Sequence, residues 1–437
     1  MSLGSLTLNA QIIDPNETAK RKATDRANSR IDQGIDRGLD KVEEGIGSLF
    51  KKKDKRKGDS QKEEDETQPA PVGDPVKSPG KPDNATGGNG EPTDFTEYKG
   101  SAFIPGKDLL FFEDFSTARL GPGAGNWFVN NWNPENPAHI RTLNAGPGNW
   151  LKITKYGHFF PNSFKSLPEN CTIEFDMYYD TETVSEMQSG LRFSFVARDD
   201  RENFDLHFND KPEVTIDIHP YGVDGNLNLF GARQYGLDES QAGFLDKTIK
   251  NGWNPGKVNH VAVARNGFGL KVFVNGMERT DQPNAFLTKA NYNFIMSSNQ
   301  WGDGIYVTNI RVGGNAPNAT SDISASGKFV TNAIYFDVNS SRIKPESWSV
   351  LKQSADAIKS VSGNILIVGH TDSDGADEAN LILSRKRAES VKLALVKEFG
   401  IPGSRLATDG KGESEPLLDN ATASGKAANR RVEFIKK

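Results

Sequence analysis

One cysteine, Cys171, is all the chain offers in 437 residues, so no internal disulfide can form and a cysteine-based metal cluster is excluded. A single thiol neither requires nor excludes an oxidising compartment. No apolar run approaches the roughly 20 residues a membrane-spanning helix needs. An excess of positive charge is also missing: the net charge is -5, and nothing in that balance points to nucleic acid. Acidic pairs such as Asp199-Asp200 are too generic to assign calcium, and the sequence implies neither cofactor nor metal. The first residues, Ser2 to Gln11, lack the basic start of a signal peptide, yet Leu6 to Ala10 reads as the end of an apolar segment before a small-residue cleavage site. A signal remnant and a plain tail both fit.

At this length two or three domains are expected. Residues 1–50 read as a leader. Within it, Ile31, Ile35, Leu39, Val42, Ile46 and Leu49 recur at helical spacing through the tetrads IDQG, IDRG and LDKV, which predicts an amphipathic helix. Gly34, Gly38, Gly45 and Gly47 weaken it by about 1 kcal/mol each relative to alanine. It would become firm against a partner protein or a membrane surface, aided by the basic run Lys51 to Lys57, or else remain a solvated leader. Residues 51–100 are rich in Lys, Glu, Asp, Pro, Gly and Ser, with almost no large apolar residue before Phe95. Such a segment cannot bury enough surface to offset ordering, and it reads as a disordered tether.

Residues 107–315 carry short alternating runs between Gly, Asn, Asp and Pro turns: CTIEFDMYY, LRFSFVAR, NFDLHFN, EVTIDIH, HVAVAR, LKVFVNG, YNFIMSS and IYVTNIRV. Period-two patterning with frequent turns predicts an all-β jelly-roll sandwich. The hairpin from Asn259 to Arg279, closing on Val274-Asn275-Gly276, resembles those of concanavalin A-like lectin/glucanase and laminin G-like domains. That superfamily includes glycan hydrolases, which need two carboxyl groups about 5 Å apart in the retaining case. Glu174 and Asp176 begin an alternating row, but Tyr178 and Tyr179 stand where the second glutamate should come, so the two acids are read as the solvent face of a strand. Trp127, Trp132, Trp253 and Trp301 could stack on sugars or fill the core. A transmembrane β-barrel is the architectural alternative. Its strands need about ten residues with an unbroken lipid-facing apolar row, which Glu174, Asp176, Asp205 and Lys271 interrupt.

Residues 329–437 alternate strand and helix. Ala333 to Val338 and Asn364 to His370 read as strands, with a Pro-started helix from Pro345 to about Ser360 between them, giving a parallel pair and a right-handed crossover. A second helix from Ala379 to Phe399 carries Leu383, Val391, Leu395 and Phe399 and ends at Gly400 and Pro402. Asn380, Ser384 and Arg387 form a polar edge beside that stripe. Asp372 falls just past the carboxyl end of the second strand, and Asn339 past the first, where open α/β sheets bind ligands. A carboxylate at Asp372 and a guanidinium at Arg387 would then face one bound zwitterion. Asn429 to Ile435 reads as a closing strand.

These residues resemble the OmpA-like peptidoglycan-binding domain. The resemblance rests on Phe336-Asp337, Asn339, Gly369-His370-Thr371-Asp372, Gly375, Asn380, Leu383-Ser384, Arg387-Ala388, Val391, Gly410, Gly412-Glu413, Pro416 and Asn429-Arg430-Arg431-Val432. It implies that the ligand is the diaminopimelate of a peptidoglycan stem. Asp372 would accept its ammonium and Arg387 would clamp its carboxylate, with Asn339, Asn380 and Arg431 lining the pocket. Lys426 stands where the family often has arginine. By the same resemblance the protein is exported to the periplasm or outer membrane of a Gram-negative envelope. No cysteine near the amino terminus offers a lipid anchor. The expectation is a non-catalytic envelope protein that tethers a lectin-like sandwich to the cell wall, with another envelope protein docking on the leader helix and carbohydrate on the sandwich. The alternative is a glycan-binding or glycan-cleaving protein acting through the middle domain.

Overall fold

A computed structural model describes residues 93–437 apart from 132–136, 155–156, 165, 181–189, 197–213, 220–225, 232–246, 251–252, 255, 287–291, 299–303 and 316–318. The leader helix, residues 51–92 of the tether, Trp132, Trp301, Asp199-Asp200, Asp205 and the run NFDLHFN lie outside the described residues.

The middle domain is a sandwich of two antiparallel sheets. Among the described residues, the first holds Met277–Gln282, Gly269–Val274, Asn259–Asn266, Asn170–Tyr179, Ile305–Gly314, Gly146–Ile153, His139–Leu143 and Gly121–Pro122 in spatial order, and Asp108–Glu113 pairs with Ile305–Gly314. The second runs Lys247–Lys250, Asn226–Gly231, Val214–His219, Leu191–Val196, Asn293–Ser298, Gly157–Pro161 and Trp127–Asn131. Alternation builds the core: Cys171, Ile173, Phe175 and Met177 point inward from one strand. Phe193 of the facing sheet lies between Phe175 and Phe294, with ring centroids 6.0 and 5.3 Å away. An interior filled in this way is that of a sandwich, and the barrel alternative, which requires a polar interior, is set aside. Asn275 and Gly276 both take positive φ, 50° and 76°, as the two-residue turn closing a hairpin demands. Trp127 and Trp253 are core residues, 4% and 2% exposed, so neither is a sugar platform.

The carboxyl-terminal module carries helices α1 (Ala319–Ser326), α2 (Trp348–Ser360), α3 (Asp377–Phe399) and α4 (Ala423–Asn429) over a four-stranded sheet ordered Lys328–Thr331, Val432–Lys436, Ile365–Gly369, Leu406–Gly410. The expected parallel pairing needs correction. Ala333 to Val338 is not a strand; it makes one bridge, Phe336 to Ile343, while Lys328–Thr331 pairs antiparallel with Val432–Lys436. The apolar run signalled burial, since Ala333 and Ile334 are 4% and 5% exposed, but burial alone does not specify pairing. The parallel pair is Ile365–Gly369 with Leu406–Gly410, bridged by α3. That helix lies directly on the sheet because Gly369 and Gly410 have no Cβ to meet the backbone and side chain of Ser384. It stops at Gly400, which adopts φ 67° and donates its N–H back to the last turn.

The two domains are bound together. Residues 93–100, expected in the tether, instead contribute to the packing: Phe95 sits 5.3 Å from the Trp348 ring in the core of the module. A few residues on, Phe103 packs at 5.2 Å on Phe273 of the sandwich's outer face. Glu174 and Asp176 require the same kind of correction. They do occupy the face opposite the core, yet they are 2% and 6% exposed, because the module covers that face. The Tyr335 hydroxyl donates to Glu174 at 3.2 Å, and Lys344 Nζ lies 3.8 Å from Asp176.

Candidate functional site

A cavity of about 510 Å³ opens where the two domains meet, a volume in the range of small-ligand sites. The module lines it with Asn339, Asp372, Asn380, Arg387 and Arg430, and the sandwich with Phe112, Asp114, Glu174, Asp176 and Arg311.

Asp372 is placed by the end of the Ile365–Gly369 strand. His370 N–H donates to Arg431 O at 3.0 Å and Thr371 N–H to Gly412 O at 2.9 Å, so the chain turns out of the sheet with both neighbours fixed. Asp372 Oδ1 accepts from Asp374 N–H at 3.2 Å, and Gly375, at φ 107°, lets the loop swing into α3. Asn380 braces this loop: its amide donates toward Asp372 O, Asp374 O and Glu413 Oε2 at 3.3, 3.1 and 2.5 Å. Lys426 takes the other side of the loop, 2.7 and 2.9 Å from the two Asp374 oxygens.

Arg387 projects from α3 into the same cavity. Its Nε donates to Ser340 O at 3.0 Å, and its guanidinium lies 4.9 Å from the Phe336 ring centroid. The carbonyl is presented by the tight turn at Asn339, whose φ is 54°. Among the described residues no hydrogen bond takes the terminal Nη1 and Nη2 donors of Arg387. Burial, and then the Arg430 charge, pull its guanidinium down to about 10, with Asp372 opposing. The group remains cationic at neutral pH and has two parallel donors to give, the geometry that suits a carboxylate.

The structure therefore brings Asp372, Arg387, Asn380 and Asn339 to one cavity. Arg431 is the exception and must be corrected. It points to the other face of the closing strand, where its Nε donates to Glu433 Oε1 at 2.9 Å. Burial pushes Glu433 up, but hydrogen bonds from His370, Lys328 and Arg431 outweigh it and hold the carboxyl well below the usual range. Arg430 lines the cavity instead. Its Nη1 donates to Asp372 Oδ2 at 2.6 Å, its Nη2 lies 3.7 Å from Asp114 Oδ2, and its guanidinium sits 5.4 Å from the Phe112 ring. Val432 and Phe434 are core residues and Glu433 alternates with them, and Arg431, just before that strand, pairs with Glu433. No sequence signal pointed to Phe112 or Asp114, which come from more than 250 residues upstream.

Residues 335–430 match the OmpA family. Outer membrane porin F of Pseudomonas aeruginosa is 46% identical over 101 residues, 23% of this chain and 29% of that protein. The peptidoglycan-binding protein ArfA of Mycobacterium bovis is 33% identical over 147 residues, 32% of this chain and 45% of its own length. The match thus spans less than half of either relative. The sandwich is similar to the carbohydrate recognition domain of Emp47p, with a TM-score of 0.35 and 13% identity over 47% of this chain and 95% of that one.

Proposed function

We propose that the carboxyl-terminal OmpA-like module binds the diaminopimelate of peptidoglycan and so fixes the sandwich to the cell wall, in the periplasm or at the outer membrane. The observation that carries this is the joint presence, in one cavity, of the Asp372 carboxylate and an Arg387 guanidinium with free terminal donors. A carbon bearing both an ammonium and a carboxylate satisfies the two at once. Charge-assisted hydrogen bonds of this kind are about twice as strong as neutral ones. Asn380 acts by bracing the Asp372 loop, and Asn339 by turning Ser340 O toward Arg387. Relatives of this module include an outer membrane porin and a protein named for peptidoglycan binding, which supports both the ligand and the compartment.

The role is non-catalytic. Supporting this, Glu174 and Asp176, the sandwich's candidate acid pair, are buried and hydrogen-bonded to Arg311, Tyr335, His260 and Asn309, as in a structural ion network. The test is co-sedimentation of the full chain with isolated sacculi. Asp372→Ala and Arg387→Ala are each expected to abolish it while leaving the thermal midpoint within a few degrees of the parent. Undiminished binding by either variant overturns the assignment.

A further inference from the structure

Arg430 creates a difficulty for any ligand ammonium, because it already occupies Asp372 at 2.6 Å. A cation displaced from a partly buried carboxylate must find another anion or remain unpaired beside Arg387, whose charge repels it. The sandwich supplies that anion. Asp114 Oδ2 lies 3.7 Å from Arg430 Nη2, the Phe112 ring supports the same guanidinium at 5.4 Å, and all three residues line the cavity. The Arg430 and Asp114 side chains are 31% and 20% exposed, so the guanidinium has room to turn. The domains are pinned at this point, since Phe112 N–H donates to Ser424 Oγ at 2.9 Å and Ser424 Oγ donates to Phe112 O at 3.1 Å. Asp114 is therefore held opposite Arg430 by the docking of one domain on the other.

We propose that the zwitterion site is composite, and that Asp114 of the sandwich is a positioning residue which receives the Arg430 guanidinium when a ligand ammonium takes its place on Asp372. This rests on the diaminopimelate reading above. The exchange conserves charge pairs: Asp372 trades Arg430 for the ammonium, and Arg430 trades Asp372 for Asp114. Arg430 need not leave the cavity. The sandwich thereby becomes part of the wall-binding apparatus as well as its cargo.

Calorimetric titration of the full chain with free diaminopimelate tests this. Asp114→Asn retains the side-chain oxygen that accepts Ser116 N–H at 3.0 Å, so the turn and the thermal midpoint should be unchanged. Its affinity is expected to fall about tenfold, the scale of one charge-assisted contact. The decisive arm is a double-mutant cycle with Arg430→Gln, in which no guanidinium needs relocating. There Asp114→Asn should have no effect. Equal binding by Asp114→Asn and the parent chain would overturn the proposal, as would a tenfold loss that persists in the Arg430→Gln background. If the parent chain itself fails to bind and sacculus binding ignores Asp372→Ala, the peptidoglycan reading falls and takes this inference with it.

Discussion

Two charge clusters line the same cleft, a more buried inner one around Glu174 and Arg311 and a less buried outer one around Asp372 and Arg387, and they differ in what their charges have left to offer. At the inner end, Arg311 Nη1 donates to Glu174 at 3.0 Å while its Nη2 donates to Gly106 O and Asn332 Oδ1 at 2.7 and 2.9 Å. Asp176 accepts from Asn309 at 2.7 Å and holds His260 at 2.8 Å. At the outer end, Arg387 is nearly as buried, 8% exposed against 3% for Arg311, yet keeps its terminal donors unengaged. Burial does not separate a structural ion network from a binding site. What separates them is where the guanidinium donors go: the terminal nitrogens of Arg311 are spent on joining two domains, while among the described residues those of Arg387 face the cavity without a hydrogen-bond partner.

The largest effect that would break this comparison belongs to the inner cluster. Arg311→Ala leaves Glu174 buried without its guanidinium partner and should cost about 3–5 kcal/mol of unfolding free energy, whereas the double change Glu174→Met with Arg311→Met should cost far less. Urea denaturation of the three chains measures both. Similar losses in single and double variants would show that the pair is not a closed unit.

A smaller effect comes with pH. Burial pushes the His260 imidazole down, but its hydrogen bonds to Asp176 and Glu174 outweigh this and hold it protonated up to about 10. With an unfolded value near ~6.5, that contribution is complete below ~6.5 and is lost as pH rises toward about 10. The slope from this one proton cannot exceed about 1.4 kcal/mol per pH unit. Asp176 has the opposite sign. Burial pushes it up, yet Lys344, His260 and Asn309 hold it at about 2, so its contribution is present above ~3.9 and is lost as pH falls toward about 2. Unfolding free energy measured from pH 7 to 9 should decline in the parent chain and decline less steeply in His260→Gln. Identical slopes would remove His260 from the network.

What could be read in advance follows the same division. Asp372 and Arg387 stood in a dense local string, with a strand end, a loop and a helix face fixing their relation within a few turns of chain. The sandwich strands were legible because alternation with Gly and Asn turns is also local. Alternation even assigned Glu174 and Asp176 to the correct side of their strand. It could not say that Tyr335 and Lys344, some 160 residues on, would cover that side. For the same reason Asp114 was invisible: its meaning depends on a domain contact across more than 300 residues. The strand expected at Ala333 to Val338 failed differently. An apolar run records burial, and the pairing partner was taken by Lys328–Thr331.

The finest contrast between the two ends is a substitution that keeps charge and changes shape. Arg387→Lys preserves a cation opposite Asp372, but an ammonium cannot present two parallel donors to a carboxylate, and it loses the planar contact with the Phe336 ring at 4.9 Å. Diaminopimelate affinity should drop about tenfold, equivalent to about 1.4 kcal/mol. The fold should be unaffected, because the one hydrogen bond the arginine makes among the described residues, to Ser340 O, ends a surface turn. Retained affinity in Arg387→Lys would mean that the outer cluster recognises charge alone. Residue 387 would then read the charge of the carboxylate without its planar geometry, and an analogue that keeps the ammonium but carries a differently shaped anion in place of the carboxylate should compete with diaminopimelate at comparable concentration.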